Sequence, residues 1–201
     1  MSLVAIIPAR GGSRRIPGKN IRLFHGKPII EYSIEAAKRA GFFARIYVST
    51  DSPAISSVAY RAGADVLWRP DVLARDEVGT QAVMADALST VVSDRLTIDP
   101  PRYACCIYAT APLMHYMHLI YGYCSLRQRR APYCYSVDER GGDAGQWYWG
   151  ETDAFIKGVS LDQAHFFSLA DKRVCDINTE DDWQRAERMY AALKGGTEWQ
   201  P

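Results

Sequence analysis

Segments with strand-like patterns alternate with segments with helix-like patterns, and this alternation restricts the possible folds more than any other feature of the chain. The strand-like segments are 3–7, 45–49, 64–67, 104–108, 133–137 and 146–149, and the helix-like segments are 28–40, 53–62, 81–93, 118–129 and 179–193. The alternation predicts an α/β fold in three layers, with a mostly parallel sheet between two layers of helices. Ligands of such folds bind beyond the carboxyl ends of the strands.

The loop after the first strand combines glycines with positive charge. Residues 8–15 read Pro-Ala-Arg-Gly-Gly-Ser-Arg-Arg, and Lys19 follows. Glycines let backbone N–H groups approach a ligand closely, and concave rows of N–H groups bind phosphate. Arginine and lysine add full charges around the same group. The loop therefore predicts a triphosphate site, although a simple turn with surface arginines has the same spacing. It matches neither the P-loop nor the dinucleotide-binding motif.

Size and charge narrow the function further. A chain of 201 residues is expected to form one domain. The net charge of +1 provides no overall field for nucleic acid, so a small anionic substrate is the better expectation. The five cysteines form no C-x-x-C pair, which predicts neither a zinc site nor a disulfide framework. We expect a cytoplasmic protein, because no signal peptide precedes the first strand and no apolar run would span a membrane.

Two segments that follow strands have both a structural and a ligand-binding interpretation. The small polar residues Ser49, Thr50 and Asp51 stand at the end of the strand at 45–49, where they can face the ligand crevice. The alternative is that Asp51 or Ser52 caps the next helix. Thr110 follows the buried strand at 104–108, and it can contact a ligand or lie in a turn that Pro112 ends.

The segment 143–150, Asp-Ala-Gly-Gln-Trp-Tyr-Trp-Gly, is unusually rich in aromatic residues. In a strand, Gln146 and Tyr148 would share one face, and Trp147 and Trp149 the other. One face could then hydrogen-bond a polyhydroxylated ligand while the other packs into the core. An ordinary aromatic strand is the alternative.

Acidic residues open the last predicted helix, in the segment 176–182, Asp-Ile-Asn-Thr-Glu-Asp-Asp. Asp176 could hold Mg²⁺, which needs only one or two carboxylates in addition to substrate phosphates. The alternative is that these acids complement the helix macrodipole. Thr179 and Asp182 have the spacing of a capping box, with aspartate in place of the usual glutamate.

Together and in this order, the segments resemble the cytidylyltransferases that activate nine-carbon acidic sugars, the CMP-nonulosonate synthetases, and most closely their pseudaminic acid branch. The matching segments are 7–13 with Lys19 and Asn20, 48–51, Arg69-Pro70 with Leu73-Ala74, Asp76 and Thr80, 106–112, 143–150 and 176–182. The resemblance implies a Rossmann-like nucleotide-diphospho-sugar transferase fold. It also implies a Mg²⁺-dependent reaction in which CTP and a nonulosonic acid give CMP-sugar and pyrophosphate.

The same resemblance implies roles for individual residues. It makes Arg10 and Lys19 the catalytic cations, because they meet the phosphate charge that shifts during transfer. The nucleotide-binding set is Arg10, Gly11, Gly12, Ser13, Arg14, Lys19, Asn20, Arg69, Asp76, Thr80 and Thr110. It places Gln146 and Tyr148 near the sugar and makes Asp176 a metal ligand. A homodimer is expected by analogy with the family.

The chain departs from the family pattern at three places. Arg14 stands where many relatives have lysine, and Asn178 stands where sialic acid synthetases have a second acid. Only the five residues 138–142 stand where relatives carry a longer segment that covers the sugar and helps to form the dimer. A nucleotide-binding homologue without turnover therefore remains an alternative, as does a nucleotidyltransferase for another acidic sugar.

Overall fold

A seven-stranded sheet forms the centre of the protein, whose computed structural model describes residues 2–94 and 99–195. The strands of the chain are β1 (Leu3–Pro8), β2 (Leu23–Phe24), β3 (Lys27–Pro28), β4 (Arg45–Thr50), β5 (Asp65–Trp68), β6 (Tyr103–Ile107), β7 (Tyr133–Val137), β8 (Asp143–Glu151) and β9 (His165–Ser168). The helices are α1 (Ile29–Ala40), α2 (Pro53–Arg61), α3 (Thr80–Ser93), α4 (Tyr116–Arg129), α5 (Thr152–Lys157) and α6 (Glu180–Gly195).

The sheet is mostly parallel, as the alternation of elements predicts. Its order is β5-β4-β1-β6-β8-β7-β9, and β2 and β3 form a separate two-stranded ribbon. Strands β5, β4, β1 and β6 run parallel, β8 runs antiparallel to both of its neighbours, and β9 is parallel to β7. Because β1 lies between β4 and β6, the loops after these three strands meet at one edge of the sheet.

Side chains alternate between two apolar layers, one on each face of the sheet. Along β1, Leu3, Ala5 and Ile7 pack against α1, α2 and α4, whereas Val4 and Ile6 pack against α3 and α5. This alternation follows from the pleat of a strand, in which successive side chains point to opposite faces. Both faces of β1 are buried, which explains why the strand reads as a continuous apolar run. The three-layer prediction is confirmed.

Strand β8 divides its aromatic residues as predicted. Trp147 and Trp149 belong to the layer beneath α4, and Tyr148 packs on the opposite face. A methyl group on Gly122 of α4 would lie only 2.4 Å from the Trp147 ring, so glycine there permits the helix to approach the sheet. The strand runs from Asp143 to Glu151 and is longer than predicted.

The predicted helix caps form. Thr179 Oγ1 accepts a hydrogen bond from the Asp182 N–H at 3.2 Å, and the Asp182 carboxylate accepts from the Thr179 N–H at 2.9 Å. Ser52 is the N-cap of α2 and accepts from the Ile55 N–H at 3.5 Å. Helix α4 begins two residues before the predicted start, because the His115 ring accepts from the Met117 N–H and caps it there.

The short joint between β7 and β8 is a closed turn. The Asp138 N–H donates to the Gly142 carbonyl at 2.8 Å, and the Asp138 carboxylate accepts from the Gly142 N–H at 2.7 Å. Gly141 has a φ of +85°, a value that favours glycine. The two strands are therefore joined as a hairpin, without a covering segment at this place.

The short strands β2, β3 and β9 and the short helix α5 were among the elements that the sequence did not predict. The two strands of the ribbon contain two residues each, α5 contains six and β9 four, so no periodicity could develop. Within the two described ranges, no helix combines the length and apolarity that crossing a membrane requires.

Candidate active site

A cleft of about 490 Å³ opens at the carboxyl edge of the sheet, where the loops after β1 and β6 meet. The predicted nucleotide residues that line it are Arg10, Ser13, Arg14, Lys19, Asn20, Arg69, Asp76, Thr80 and Thr110. These residues are separated by up to a hundred positions in the chain. The fold thus brings nine of the eleven predicted nucleotide residues together around one cavity.

The lining of the cleft is strongly cationic. Its basic side chains are Arg10, Arg14, Arg15, Lys19, Arg69 and Arg75, and Asp76 is the one acidic residue among the described lining residues. A concave surface with this charge concentrates anions, and its potential is greatest where solvent is partly excluded. The protein as a whole carries a net charge of only +1, so the positive charge of the cleft is a local feature.

Gly11 and Gly12 do not line the cleft, which differs from the prediction. The Gly11 N–H donates to the Asp51 carboxylate at 2.8 Å, and the Ser13 N–H donates to the Gly11 carbonyl at 3.0 Å. A methyl group on Gly11 would lie 3.0 Å from Ser52 Cβ, so the loop packs directly against the start of α2. Asp51 therefore holds the loop, while Ser52 next to it caps the helix.

Lys19 reaches across the base of the loop. Its Nζ donates to the Ile177 carbonyl at 2.6 Å, which connects the loop to the segment before α6. Burial lowers the pKa of Lys19, and the neighbouring Asp176 opposes this effect. The amide of Asn20 donates to the Arg10 carbonyl at 2.9 Å and fixes the loop from inside.

Arg69 is buried at the edge of the cleft. Its guanidinium donates to the Ser49 carbonyl at 2.8 Å and to Ser49 Oγ at 3.3 Å. Burial is the main reason that the pKa of Arg69 is lowered, and Asp51 partly offsets it. Because these two hydrogen bonds go to neutral oxygens, they do not cancel the positive charge of the guanidinium, which can still attract an anionic ligand.

Asp76 joins two of the loop arginines. Its carboxylate lies 2.5 Å from Arg10 Nη2 and 2.9 Å from Arg14 Nε. All three groups line the same cavity, so the pair of arginines faces the cleft from fixed positions.

A second chamber, of about 260 Å³, adjoins the cleft and shares Thr80 and Tyr108 with it. Its other lining residues are Gly79, Gln81, Met84, Cys106, Tyr148 and Phe155. Of the two predicted sugar residues, Tyr148 reaches this chamber. Gln146 does not line the cleft or the chamber: it is only 2% exposed, and its amide donates to the Arg173 carbonyl.

Asp176 and Asn178 flank Ile177, whose carbonyl Lys19 contacts, and their side chains line different cavities. Asn178 lines the cleft and accepts a hydrogen bond from Arg15 at 2.8 Å, and its amide donates to the Asp176 carboxylate. Asp176 lines a third, open cavity of about 440 Å³. Within residues 2–94 and 99–195, no three His, Cys, Asp or Glu side chains converge as a metal-binding group. Asp176 does not line the cleft itself, but it accepts a hydrogen bond from Asn178, which does. One exposed carboxylate at this border fits a Mg²⁺ ion whose other ligands would be substrate phosphates and water.

Sequence reasoning overlooked Arg75 and assigned no role to Tyr108, both of which line the cleft. Arg75 lies in an irregular segment before α3, where no helical or strand periodicity indicates which way a side chain points. Tyr108 could have been identified, because it follows directly after a strand whose residues are all buried.

The model of the cytidylyltransferase family matches residues 4–138, which is more than half of the chain. The chain belongs to the cytidylyltransferase family. It is accordingly a nucleotidyltransferase.

Pseudaminic acid cytidylyltransferase from Campylobacter jejuni is 32% identical to this cytidylyltransferase, over 94% of the chain and 97% of the relative. Their alignment spans 227 positions, which exceeds the 201 residues of this chain. The relative therefore contains residues that have no counterpart here.

Two solved structures share the fold at low sequence identity. CMP:2-keto-3-deoxy-manno-octonic acid synthetase in complex with CTP has a TM-score of 0.75 at 14% identity, with 96% of this chain and 99% of that chain covered. Rv0371c from Mycobacterium tuberculosis, in complex with manganese, has a TM-score of 0.67 at 14% identity, with 94% and 99% covered. These likenesses establish the nucleotidyltransferase fold of the chain.

Proposed function

We propose that this cytidylyltransferase transfers the cytidylyl group of CTP to the anomeric hydroxyl of a nonulosonic acid and releases pyrophosphate. The observation that carries this proposal is the cleft of about 490 Å³ lined by six cationic side chains at the carboxyl edge of the sheet. A nucleoside triphosphate has the matching size and charge. The relative from C. jejuni, which is similar over nearly its whole length, points to pseudaminic acid or a related acid as the acceptor.

In this proposal the cations of the loop and the other residues that line the cleft have different tasks. Arg10, Arg14 and Lys19 hold the triphosphate and neutralise charge that moves toward the leaving pyrophosphate. The nucleoside lies near Asn20, Arg69, Thr80 and Thr110, which line the same cleft, and Asp76 holds Arg10 and Arg14 in place. The protein contributes mainly by positioning the reactants and by stabilising charge, since phosphoryl transfer of this kind needs little covalent chemistry from the enzyme.

The sugar is proposed to occupy the chamber beside the cleft. That chamber is lined both by residues that carry hydroxyl groups, Thr80, Tyr108 and Tyr148, and by the apolar residues Met84 and Phe155. This mixture suits an acidic sugar that carries both hydroxyl and acyl groups. Gln146 is buried beneath Arg173, so its proposed role is to support the wall of the sugar site.

We propose Mg²⁺ as the cofactor and Asp176 as its protein ligand. When bound, Mg²⁺ would neutralise phosphate oxygens during the transfer. The manganese complex of a protein with the same fold supports a divalent metal in general. Asn178, which hydrogen-bonds Asp176, keeps that carboxylate in a defined orientation.

We also propose that the chain acts as a single-domain homodimer in the cytoplasm, where CTP is available. Its closed turn at 138–142 leaves little chain for a covering segment, so the dimer would need another surface. Multi-angle light scattering gives the mass in solution; a monomer at assay concentration would contradict this part of the proposal.

A pyrophosphate-release assay tests the reaction. CTP, UTP, ATP and GTP are each supplied with Mg²⁺ and with pseudaminic, legionaminic, sialic or the eight-carbon 2-keto-3-deoxy acid. We expect release with CTP and a nine-carbon acid. CTP binding by calorimetry without release from any acid would favour the alternative, a nucleotide-binding homologue without turnover, which Asn178 motivates. Release with the eight-carbon acid only would move the function to another acidic sugar.

A further inference from the structure

A chain of hydroxyl groups leads from the nucleotide cleft to a carboxylate that has no role in nucleotide binding. The Tyr148 hydroxyl donates to the Asp143 carboxylate, and the Tyr148 ring lies beside the Tyr108 ring, with 5.9 Å between the two ring centroids. The Tyr108 hydroxyl lies 3.3 Å from Thr80 Oγ1. Thr80, Tyr108, Tyr148 and Asp143 therefore form a series of neighbouring polar groups, in which Tyr148 is hydrogen-bonded directly to Asp143.

The two ends of this series lie in different surroundings. Thr80 and Tyr108 line both the cleft and the chamber beside it, and Tyr148 lines the chamber. Asp143 is exposed and lines the open cavity of about 440 Å³ on the other side. A proton taken up at the chamber can thus reach a group that exchanges freely with water.

The tyrosines are suited to pass a proton and unsuited to hold a negative charge. Burial raises the pKa of Tyr108, and burial together with the hydrogen bond to Asp143 raises the pKa of Tyr148. Both hydroxyls therefore remain protonated. Such a group can accept a proton on its oxygen only while it donates its own, and Asp143 is the acceptor in contact.

The carboxylates that contact the loop after β1 already have other partners. Asp76 forms ion pairs with Arg10 and Arg14, and Asp51 accepts the Gly11 N–H. Asp143 uses one oxygen to accept the Gly145 N–H at 2.8 Å, and the other oxygen accepts from Tyr148. Its contact with the tyrosine is thus built by the turn at the start of β8.

We propose that Tyr148 relays the proton of the attacking sugar hydroxyl to Asp143. This inference rests on the proposed function. The anomeric oxygen forms a bond to the α-phosphorus, and the bond from that phosphorus to the pyrophosphate oxygen breaks. The hydroxyl proton moves to the Tyr148 oxygen as the Tyr148 proton moves to the Asp143 carboxylate. Asp143 then returns the proton to water through the open cavity.

The test measures CMP-sugar formation by Asp143→Asn, Tyr148→Phe and the double variant. Asn keeps the oxygen that accepts the Gly145 N–H, so the turn is retained. We expect kcat to fall about a hundredfold in each single variant, as general-base catalysis is worth 10²–10⁴-fold. The KM values for CTP and the sugar should change less than about threefold, because the relay acts in the transition state.

Two further results separate a relay from a structural role. The double variant should be no slower than the slower single variant, because both changes interrupt one path. The kcat of Asp143→Glu should be at least about tenfold higher than the kcat of Asp143→Asn, because glutamate restores the carboxylate. Tyr135→Phe is the matched control, since Tyr135 stacks on Tyr148 at 5.4 Å without joining the series, and its kcat should stay within about twofold of the wild type.

Several outcomes would overturn the relay. A rise in KM with kcat unchanged would show that Tyr148 only binds the sugar, and losses that multiply in the double variant would show independent roles. If Asp143→Asn does not fold, the Tyr148→Phe variant decides alone. A kcat that falls about a hundredfold with unchanged CTP affinity supports the relay, and an unchanged kcat contradicts it. A wild-type protein that makes no CMP-sugar from any acid would defeat the proposed function and the relay together. Normal wild-type turnover with unaffected variants would defeat the relay only.

Discussion

The Asp76 carboxylate lies 2.5 Å from the Arg10 guanidinium and also contacts Arg14, so one acid from the segment before α3 orders two cations of the loop after β1. The Arg14 side chain is 85% exposed, and those of Arg10 and Asp76 are 31% and 36% exposed. Exposed pairs of this kind add only about 0–1 kcal/mol to stability. The importance of this contact for binding lies in holding the arginines in place before the ligand arrives.

The first prediction concerns this contact. Asp76→Ala should raise the KM for CTP about tenfold, because both arginines lose their fixed positions, while the melting temperature changes little. Asp65→Ala is the matched control. Asp65 lies 2.9 Å from Arg45 in an ion pair that does not line the cleft, so the KM for CTP of this variant should not change. An unchanged KM in Asp76→Ala would mean that the arginines do not need this acid.

The second prediction concerns the two proposed catalytic cations. Arg10→Ala and Lys19→Ala should each lower kcat about 10²–10³-fold, the usual loss when a group that stabilises transition-state charge is removed. Lys38→Ala is the control, because Lys38 also donates to a backbone carbonyl, that of Ala62 at 3.1 Å, but on the protein surface. Steady-state assays with saturating CTP measure the effect. Near-normal rates in both variants would remove Arg10 and Lys19 from the site.

The third prediction concerns the metal. Asp176→Asn should raise the Mg²⁺ concentration that gives half-maximal activity, because it removes the proposed protein ligand. Asn178→Asp should lower that concentration, because it adds a second carboxylate beside the first. Asp153→Asn, which alters a surface pair with Lys157, serves as the control. If the metal titration is the same for all four proteins, Asp176 is not a ligand.

The fourth prediction concerns packing beneath α4. Gly122→Ala should lower the free energy of unfolding by about 1–3 kcal/mol, because the new methyl group would overlap the rings of Trp147 and Trp149. Alanine normally stabilises a helix relative to glycine by up to about 1 kcal/mol. Gly195→Ala, at the last residue of α6 with no atom within 4 Å of the added methyl group, is the control, and its free energy of unfolding should change by less than about 0.5 kcal/mol. Urea unfolding of both variants measures the difference, and a stabilised Gly122→Ala would contradict the packing described.

The fifth prediction concerns acid stability. Burial, together with the positive charges of Arg173 and His115, lowers the pKa of His118 from 6.5 to about 4. The unfolded chain therefore binds the proton more readily, so His118 reduces stability as the pH falls from about 6.5 to about 4. His118→Gln should flatten the pH dependence of the melting temperature in that window. An unchanged slope would mean that His118 is not the group responsible.

Local pattern was sufficient to predict much of the architecture. The apolar run of β1, the periodicity of α1 and the capping pair Thr179 and Asp182 all express interactions between residues close in the sequence, and each is confirmed. The short β9 and α5 escaped prediction because four and six residues are too few to show a period. They form because β7 and α3 supply a surface on which they pack.

By itself, the sequence determined the alternation of strands and helices, the cationic loop, and the resemblance that led to the family. These properties reside in contiguous residues, so they can be recognised without coordinates. Only the tertiary structure decided that Asp51 binds the loop amide of Gly11, that Gln146 lies buried under Arg173, and that Tyr148 contacts Asp143 beside the cleft. Those relationships depend on how strands align and how tightly layers pack, and neither quantity is encoded in any one segment.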